Sequence, residues 1–202
     1  MKPVRSLSLP LSACDRVELS AGEQILLSGP CFTVRDASLN RLADAYANIA
    51  QEASMQAPEE VANIMDMLKD QLIFFAGPTP PHPGVSELPF GSIGPTTASR
   101  MDVSQIKLMP YGLTLSMGKG RRSDAYKQAA RKHAAVYFAA VGGAAAVLAQ
   151  HVITSEVVAW PELGTEAVMK LALDKFPAFV ATDSAGADIY ERRLMKEKSN
   201  GR

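Results

Sequence analysis

The stretch LTLSMGKGRRSDAYKQAARKHAAVYFAA, residues 113–140, contains the pattern that decides the fold. Residues 113–117 form a short run typical of a strand, and a glycine-flanked basic turn follows it. Ser123 is then placed to cap a helix that reaches about His133, and the apolar run at 136–140 predicts another strand. A strand, a helix and a strand in succession are typical of an α/β domain.

The rest of the chain continues this alternation. Strands are predicted at 5–11, 24–28, 31–34, 72–76, 157–160 and 179–182, and helices at 12–19, 35–53, 58–69, 144–151 and 165–171. Residues 77–89 contain five prolines and predict a long loop. We therefore expect one α/β domain over residues 1–202, with a mixed or largely parallel sheet flanked by helices. Its core would cover about 21–190, followed by a charged tail at 192–202.

Composition and charge exclude several classes of protein. The 202 residues are 47% hydrophobic and 21% charged, which argues against disorder. The formal net charge is zero, whereas a general nucleic-acid-binding protein usually has a basic excess. The longest apolar run, 134–150, is interrupted by two glycines and is shorter than the roughly 20 residues that span a membrane. Residues 1–10 contain no apolar targeting segment. We therefore expect a cytoplasmic protein with no nucleic-acid or membrane partner.

The two cysteines, Cys14 and Cys31, do not form a metal-binding pattern. They lack CxxC spacing and no pair of histidines lies near them, so no zinc site is predicted. An iron–sulfur cluster needs about three or four thiolates, which this chain alone does not supply. The spacing does not predict a disulfide framework either.

Three short motifs each occupy a turn after a strand: TVRD at 33–36, GPTTASR at 94–100 and GKG at 118–120. In open α/β sheets, ligands bind where such turns meet at the carboxyl ends of the strands. Helix N-termini there favour anions, arginine holds a carboxylate through two parallel N–H bonds, and lysine adds a point charge. Arg35, Arg100 and Lys119 would therefore suit a ligand with two carboxylates.

Each motif also has an explanation that involves no ligand. Asp36 would cap its own helix, and Arg35 would be a solvated charge. Thr96 or Thr97 would cap the following helix, which contributes about 1 kcal/mol. The basic residues of the third motif would form a surface cluster of Lys119, Arg121 and Arg122. His82, in the proline-rich loop, is a further candidate for ligand contact.

Five segments follow one another in a fixed order: TVRDASLNR (33–41), GPTTASRMD (94–102), GKG (118–120), AVYFAAVGGAAA (135–146) and FPAFVATDSAG (176–186). Together they resemble the β subunit, or C-terminal domain, of the class I iron–sulfur fumarate hydratases and L-tartrate dehydratases. The resemblance covers about residues 21–190, and GPTTxxRMD followed by GKG is its most specific part. It implies an α/β domain of the swivelling β/β/α type, with the three cluster cysteines in a separate α part.

The resemblance also implies roles for five residues. Thr96 matches the family residue that acts as the base, or as one member of an acid–base pair, at the carbon next to a carboxylate. Arg35, Arg100 and Lys119 match residues that hold the substrate carboxylates, and Thr97 matches a neighbouring polar contact. A threonine hydroxyl is a very weak base, so it would need nearby cations and a carboxylate from the α part. The substrate hydroxyl would bind the open iron of a [4Fe–4S] cluster, which acts as a Lewis acid.

The implied function is that of the β subunit of a two-chain hydro-lyase, which hydrates fumarate reversibly to L-malate, a reaction of the tricarboxylic acid cycle. One alternative is the β subunit of a dehydratase for L-tartrate or a related hydroxy diacid. Another is a dicarboxylate-binding or accessory protein without catalytic activity. The expected partner is an α subunit that holds the [4Fe–4S] cluster in a hetero-oligomer, and the chain alone would form a β homodimer.

Two features depart from the family pattern. Many members have the sequence RDAxHxR, whereas this chain has Leu39 in place of the histidine. The stretch at 46–70 is also longer than usual and adds helix. Both departures are those of a divergent subfamily, and they leave fumarate, tartrate and related diacids open as substrates.

Overall fold

The structure is a computed structural model that describes residues 4–51, 56–80 and 90–191. Three features of the sequence interpretation lie outside these residues: the charged tail at 192–202, His82, and the part of the proline-rich segment at 81–89. No helix among the described residues is long and apolar enough to cross a membrane.

A mixed β-sheet forms the centre of the fold. The strands are β1 (Arg5–Ser8), β2 (Gln24–Thr33), β3 (Leu72–Phe74), β4 (Ala76–Pro78), β5 (Ile93–Pro95), β6 (Leu115–Gly118), β7 (Val136–Ala139), β8 (Val152–Ala159) and β9 (Val168–Thr182). Seven of them form one sheet in the order β1-β2-β3-β6-β7-β9-β8, and β4 pairs with β5 in a small ribbon. The first five strands of this order are parallel, and β9 is antiparallel to its neighbours. The expected α/β fold with a mixed sheet is therefore confirmed.

The large sheet closes on itself, because β2 pairs with β9 as well as with β3. The strands β2, β3, β6, β7 and β9 consequently form a ring. Side chains alternate between the two faces of each strand. In β3, Leu72 and Phe74 belong to a buried cluster that contains residues from all five strands of the ring. This cluster fills the inside of the ring. Ile73 joins a second cluster on the outer face.

Four of the six described helices cover the outer face of the ring. The helices are α1 (Ala13–Glu18), α2 (Asp36–Gln51), α3 (Glu59–Leu68), α4 (Asp102–Leu108), α5 (Asp124–His133) and α6 (Ala145–Ala149). Apolar residues of α2, α3, α4 and α5 make up much of the second cluster. Leu39, which stands where many members of the resembled family have a histidine, is fully buried in that cluster. Its role in this chain is therefore packing of α2 against the sheet.

One predicted turn is wrong. Residues 24–28 and 31–34 were expected to form separate strands around Gly29 and Pro30, but β2 runs through both. The glycine adopts a φ of 119°, and the register with β9 shifts between Leu27 and Gly29. The Gly-Pro pair therefore produces a bulge in a continuous strand, because antiparallel pairing with β9 continues on both sides of it.

One predicted helix is wrong in the same way. The expected helix at 165–171 is strand from Val168 onward, preceded by a 3-10 segment at Pro161–Glu166. Pairing of this segment with strands that are distant in the sequence overrides its local preference. The expected loop at 77–89 is changed at its start, because residues 77 and 78 belong to β4 and pair with β5.

Candidate functional site

Three of the predicted site residues follow strands at one edge of the sheet. β2, β3 and β6 are parallel, so their carboxyl ends lie at the same edge. Arg35 follows β2, and Lys119 follows β6 directly. Thr96 follows the β4–β5 ribbon, and its N–H donates to the carbonyl of Phe75, the residue after β3, at 2.7 Å. The topology therefore brings these three residues to one edge.

Backbone hydrogen bonds join the GPTT turn to the GKG turn. The N–H of Lys119 donates to the carbonyl of Thr96 at 3.0 Å, and the N–H of Ala98 donates to the carbonyl of Lys119 at 2.9 Å. Thr97 and Lys119 form a parallel bridge. A Cβ atom on Gly118 would lie 3.1 Å from the Cβ of Ala98 and 3.3 Å from the carbonyl oxygen of Thr96. Glycine is therefore needed where the two turns approach each other.

Neither threonine of the GPTT turn acts as a helix cap. The Thr96 hydroxyl donates to the carbonyl of Phe75 at 3.1 Å, and its side chain is half-buried. Thr97 occupies the N-cap position of the 3-10 helix Ala98–Met101 but makes no capping hydrogen bond through its side chain. The alternative in which these threonines only cap a helix is therefore wrong. Thr96 still offers oxygen lone pairs to a ligand, because its one described hydrogen bond uses the hydroxyl proton.

Arg100 links the GPTT segment to the first turn of α2. Its Nη2 donates to Oδ2 of Asp36 at 3.1 Å, and the two side chains are 49% and 36% exposed. An ion pair this exposed adds little to stability. Arginine has five N–H donors and this contact uses one of them, so the guanidinium can still bind a carboxylate in the bidentate manner.

Arg35 already holds a carboxylate. Its Nη2 lies 3.5 Å from Oε1 of Glu166, with side chains 23% and 26% exposed. The other carboxylate oxygen accepts the N–H of Ala37, in the first turn of α2, at 2.6 Å. A Cβ on Gly77 would lie 2.6 Å from Nη1 of Arg35, so glycine makes the space for the guanidinium. The alternative of a solvated Arg35 is therefore wrong, and this arginine together with a helix N-terminus binds a carboxylate.

Sequence reasoning did not identify Glu166, and a stability measurement tests its role. We expect Glu166→Ala to lower the free energy of unfolding by about 1–2 kcal/mol, because it removes an ion pair and a helix-capping hydrogen bond together. Glu162→Ala is the matched control, since Glu162 lies in the same 3-10 segment and pairs with Arg41 at 2.8 Å, but is exposed. Denaturant unfolding should show a clearly smaller loss for the control. Equal losses would contradict a specific role of Glu166.

Arg122 lies in the interior of the protein. Its Nε donates to Oδ1 of Asp102 at 2.5 Å, its Nη2 to Oε1 of Gln105 at 2.7 Å, and its Nη1 to Oγ of Ser116 at 3.2 Å. The alternative of a surface basic cluster is therefore wrong for Arg122, although Arg121 is exposed. Residue type alone does not indicate which of two adjacent arginines is buried. The one sequence signal for a buried ion-pair partner is Asp102, the aspartate that ends the GPTTASRMD segment.

An open cleft of about 480 Å³ lies beside the two joined turns. Much of its lining is apolar, from residues such as Val141, Phe179 and Ile189, and Thr97, Lys119 and Tyr190 add polar groups. Burial, together with the negative charge of Asp188, raises the pKa of Tyr190. Its hydroxyl therefore stays protonated at neutral pH, and Lys119 gives the cleft one positive charge.

The FPAFVATDSAG segment has a structural role. Asp183 is buried, and its Oδ2 accepts the N–H of Ala21 at 3.0 Å. Its Oδ1 accepts the N–H groups of Ala185 and Ala187 at 3.1 Å and 2.9 Å. The aspartate thus satisfies backbone donors at the end of β9 and attaches this turn to the chain segment before β2.

The described residues do not fit an iron–sulfur cluster. Within 4–51, 56–80 and 90–191 no three His, Cys, Asp or Glu side chains are grouped so that they could hold a metal ion. Cys31 is fully buried, and burial raises the pKa of its thiol, so it remains protonated. Cys14 is exposed. These two thiols do not make a donor set for a cluster.

Comparison with known proteins relates the chain to named enzymes. Residues 7–193 match the family model described as Fumarase C-terminus. Over 98% of its length the chain is 34% identical to the Escherichia coli K12 protein "Fumarate hydratase class I, anaerobic". Over 86% it is 35% identical to "Fumarate hydratase 2" of Leishmania major. These matches cover 33% and 28% of the two relatives. The chain is also 32% identical to a Methanocaldococcus jannaschii protein provisionally named L(+)-tartrate dehydratase subunit beta. That match covers 94% of each of the two proteins.

Proposed function

The chain belongs to the Fumarase C-terminus family, and from this premise we propose that it is the β subunit of a two-chain hydro-lyase that interconverts fumarate and L-malate. Two comparisons support the proposal. The fumarate hydratases are about three times as long as the matched region, and the relative of matching length is named as a subunit beta. A partner α subunit would supply the remaining part, in a cytoplasmic hetero-oligomer.

The observation on which the proposal mainly depends is the junction of the GPTT and GKG turns. Their reciprocal backbone hydrogen bonds place the Thr96 hydroxyl and the Lys119 side chain on adjacent backbone segments. We assign Thr96 to proton exchange with the substrate. We assign Arg100 and Lys119 to the substrate carboxylates, and Arg35 as well, through the N–H donors that its pairing with Glu166 does not use. We assign Thr97 to a neighbouring polar contact. Cations of this kind match a substrate with two negative charges.

Proton exchange at carbon sets a requirement on Thr96. Loss of water from L-malate removes a proton from the carbon next to a carboxylate. When the Thr96 oxygen takes that proton, its own hydroxyl proton has to pass to another group, and we assign that group to a carboxylate of the α subunit. Arginine and lysine side chains at the substrate carboxylate would stabilise the negative charge that develops there. The Thr96 hydroxyl rotates about its C–O bond, so it can turn from the Phe75 carbonyl to this acceptor.

We assign the [4Fe–4S] cluster to the α subunit. Cys14 and Cys31 of this chain do not form a donor set, as described above. Chemistry at the hydroxyl-bearing carbon therefore belongs to the partner in this proposal, and none of it is assigned to the described residues. This chain would contribute the carboxylate-binding cations and the group that moves the proton.

Reconstitution tests the proposed function. The chain is purified together with its iron–sulfur α partner under anaerobic conditions, and fumarate hydration is followed by the loss of fumarate absorbance. We expect activity from the pair and none from either chain alone. L-tartrate and other hydroxy diacids are assayed in parallel. A pair that contains a full cluster and is inert on every one of these substrates would overturn the enzyme proposal.

A second candidate is the β subunit of L-tartrate dehydratase. It is favoured by the Methanocaldococcus jannaschii relative, which is matched over 94% of its own length. The ratio of kcat/KM for L-malate and L-tartrate in the reconstituted pair decides between the two. Calorimetry of the isolated chain with L-malate separates both from a binding protein without activity. Tight binding that needs no partner would favour the binding protein.

Substitution of the proposed carboxylate-binding residues should weaken catalysis. We expect Lys119→Ala and Arg100→Ala each to lower kcat/KM by a factor that corresponds to about 2–4 kcal/mol, the scale for loss of a desolvated charged contact. Arg121→Ala is the matched control, because Arg121 lies in the same basic turn and is exposed. Steady-state kinetics of the reconstituted pair measures all three variants. Kinetics close to those of the unmodified pair would remove the affected residue from the site.

A further inference from the structure

We infer that Arg122 is a positioning residue, which fixes the GKG turn that contains Lys119 against the helix start that contains Arg100. The kinetic part of this inference rests on the proposed function, whereas the structural part does not. Arg122 is fully buried, and each of its three side-chain nitrogens donates a hydrogen bond to a different residue. We refer to Arg122, Asp102, Gln105 and Ser116 as the Arg122 cluster.

The Arg122 cluster connects the two segments that contain the proposed binding residues. Asp102 begins α4, two positions after Arg100. Arg122 itself lies three positions after Lys119, in the turn that leads to α5. The second carboxylate oxygen of Asp102 accepts the N–H of Ser123 at 2.7 Å, so this aspartate binds the turn through both a side chain and the backbone. A single carboxylate therefore bridges the GPTT segment and the residues that follow the GKG turn.

The cluster also attaches the turn to the strand from which it leaves. Nη1 of Arg122 donates to Oγ of Ser116, in β6, two positions before Gly118. Nη2 donates to Oε1 of Gln105, one turn along α4 from Asp102. Arg122 thus connects the turn at 118–122 both to β6, through Ser116, and to α4, through Gln105. A turn with glycines on both sides of Lys119 has little stiffness of its own, so such contacts decide where the lysine stands.

The shape of the site requires an arginine. The guanidinium carbon lies 3.5 Å from the centroid of the Tyr126 ring and 4.9 Å from that of Tyr137. A planar guanidinium can stack on an aromatic face while its fork reaches three acceptors, whereas an ammonium group is a single point. Tyr137 in turn donates its hydroxyl proton to the carbonyl of Gly120 at 2.9 Å, which adds a contact to the same turn. Lysine at position 122 would keep the charge and lose most of this geometry.

Arg122→Lys tests the inference by two independent measurements. The first is amide hydrogen exchange at Lys119 and Ala98, whose N–H groups close the junction of the turns, with the Leu9 amide as an internal reference. We expect exchange at both amides to accelerate at least tenfold relative to the reference. The second is KM for the dicarboxylate in the reconstituted pair, which should rise at least tenfold, because Lys119 and Arg100 would no longer be held at their proper separation.

Arg16→Lys is the matched control. Arg16 is largely buried and donates to Oγ1 of Thr114 at 2.8 Å. Thr114 immediately precedes β6, at the end of the strand that is remote from the GKG turn. The control should leave the Lys119 and Ala98 amides and the KM as they are in the unmodified protein. If Arg122→Lys changes neither exchange nor KM beyond the control, the inference is overturned. If the unmodified pair is inert, the proposed function fails, while the exchange measurement still decides the role of Arg122.

A second variant keeps the test decisive if Arg122→Lys does not fold. Gln105→Leu removes the acceptor of Nη2 and leaves the ion pair with Asp102 in place. We expect it to accelerate exchange at the Lys119 amide at least threefold in a folded protein. Exchange indistinguishable from that of the unmodified protein would overturn the inference.

Discussion

Thr96→Ala is expected to lower kcat of the reconstituted pair by about 10²–10⁴-fold, the usual contribution of a positioned proton-transfer group. Stability should fall by no more than about 1 kcal/mol. The hydroxyl of Thr96 makes its hydrogen bond to the carbonyl of Phe75, which also accepts the backbone N–H of Thr96 at 2.7 Å. Removal of the hydroxyl therefore leaves no carbonyl without a partner. Single-turnover kinetics and thermal unfolding measure the two effects.

Two related substitutions make the Thr96 result specific. Thr96→Ser keeps the hydroxyl and should keep a substantial part of the activity. Thr97→Ala removes an exposed hydroxyl one residue away and should affect kcat much less. A Thr96→Ala variant that mainly lowers the melting temperature, with kcat little changed, would show a structural role and would contradict the assignment of proton exchange to this residue.

Asp102→Ala is expected to lower the free energy of unfolding by about 3–5 kcal/mol, the cost of leaving a buried charge without its partner. Asp102 and Arg122 have side chains that are 5% and 0% exposed, and their atoms lie 2.5 Å apart. The alanine would remove the acceptor for Nε of Arg122 and also the acceptor for the Ser123 N–H. Denaturant unfolding, with the slope compared between variants, measures the loss.

An exposed ion pair provides the comparison for Asp102. Asp36→Ala removes the partner of Arg100, and both members of that pair are at least one third exposed. We expect a loss of less than about 1 kcal/mol, because water screens such a pair and replaces the lost contact. Equal losses for Asp36→Ala and Asp102→Ala would contradict the view that burial makes the Asp102–Arg122 pair important for stability.

Local sequence signals predicted many of the elements around the site. Ser123 caps α5 as expected, with its hydroxyl accepting the N–H of Tyr126 at 3.2 Å. The helix after Arg35 and the strands before Lys119 and after His133 are also present. These elements depend on neighbours three or four positions apart, or on alternation along one strand, so the information lies within a short window.

Strand pairing over long distances was not predictable in this way. β9 is a strand of 15 residues, although part of it had the local pattern of a helix. It pairs with β2 over most of its length, and also with β7 and β8. These partners satisfy its backbone donors and acceptors along both edges. The stabilisation from these hydrogen bonds depends on residues far away in the sequence, and it overrides the weaker local preference for helix.

The same division applies to the candidate site. The sequence alone determined which residues are candidates, because glycines, threonines and basic side chains at turns after strands are visible in a short window. Only the tertiary structure decided their partners: Arg35 meets Glu166, 131 positions away, and Arg122 turns inward to Asp102 while Arg121 remains at the surface. Two adjacent arginines are chemically identical in the sequence. The folded chain surrounds Arg122 with acceptors that satisfy its buried guanidinium, because a buried charge needs such partners. Arg121 has no such surroundings and remains exposed to water.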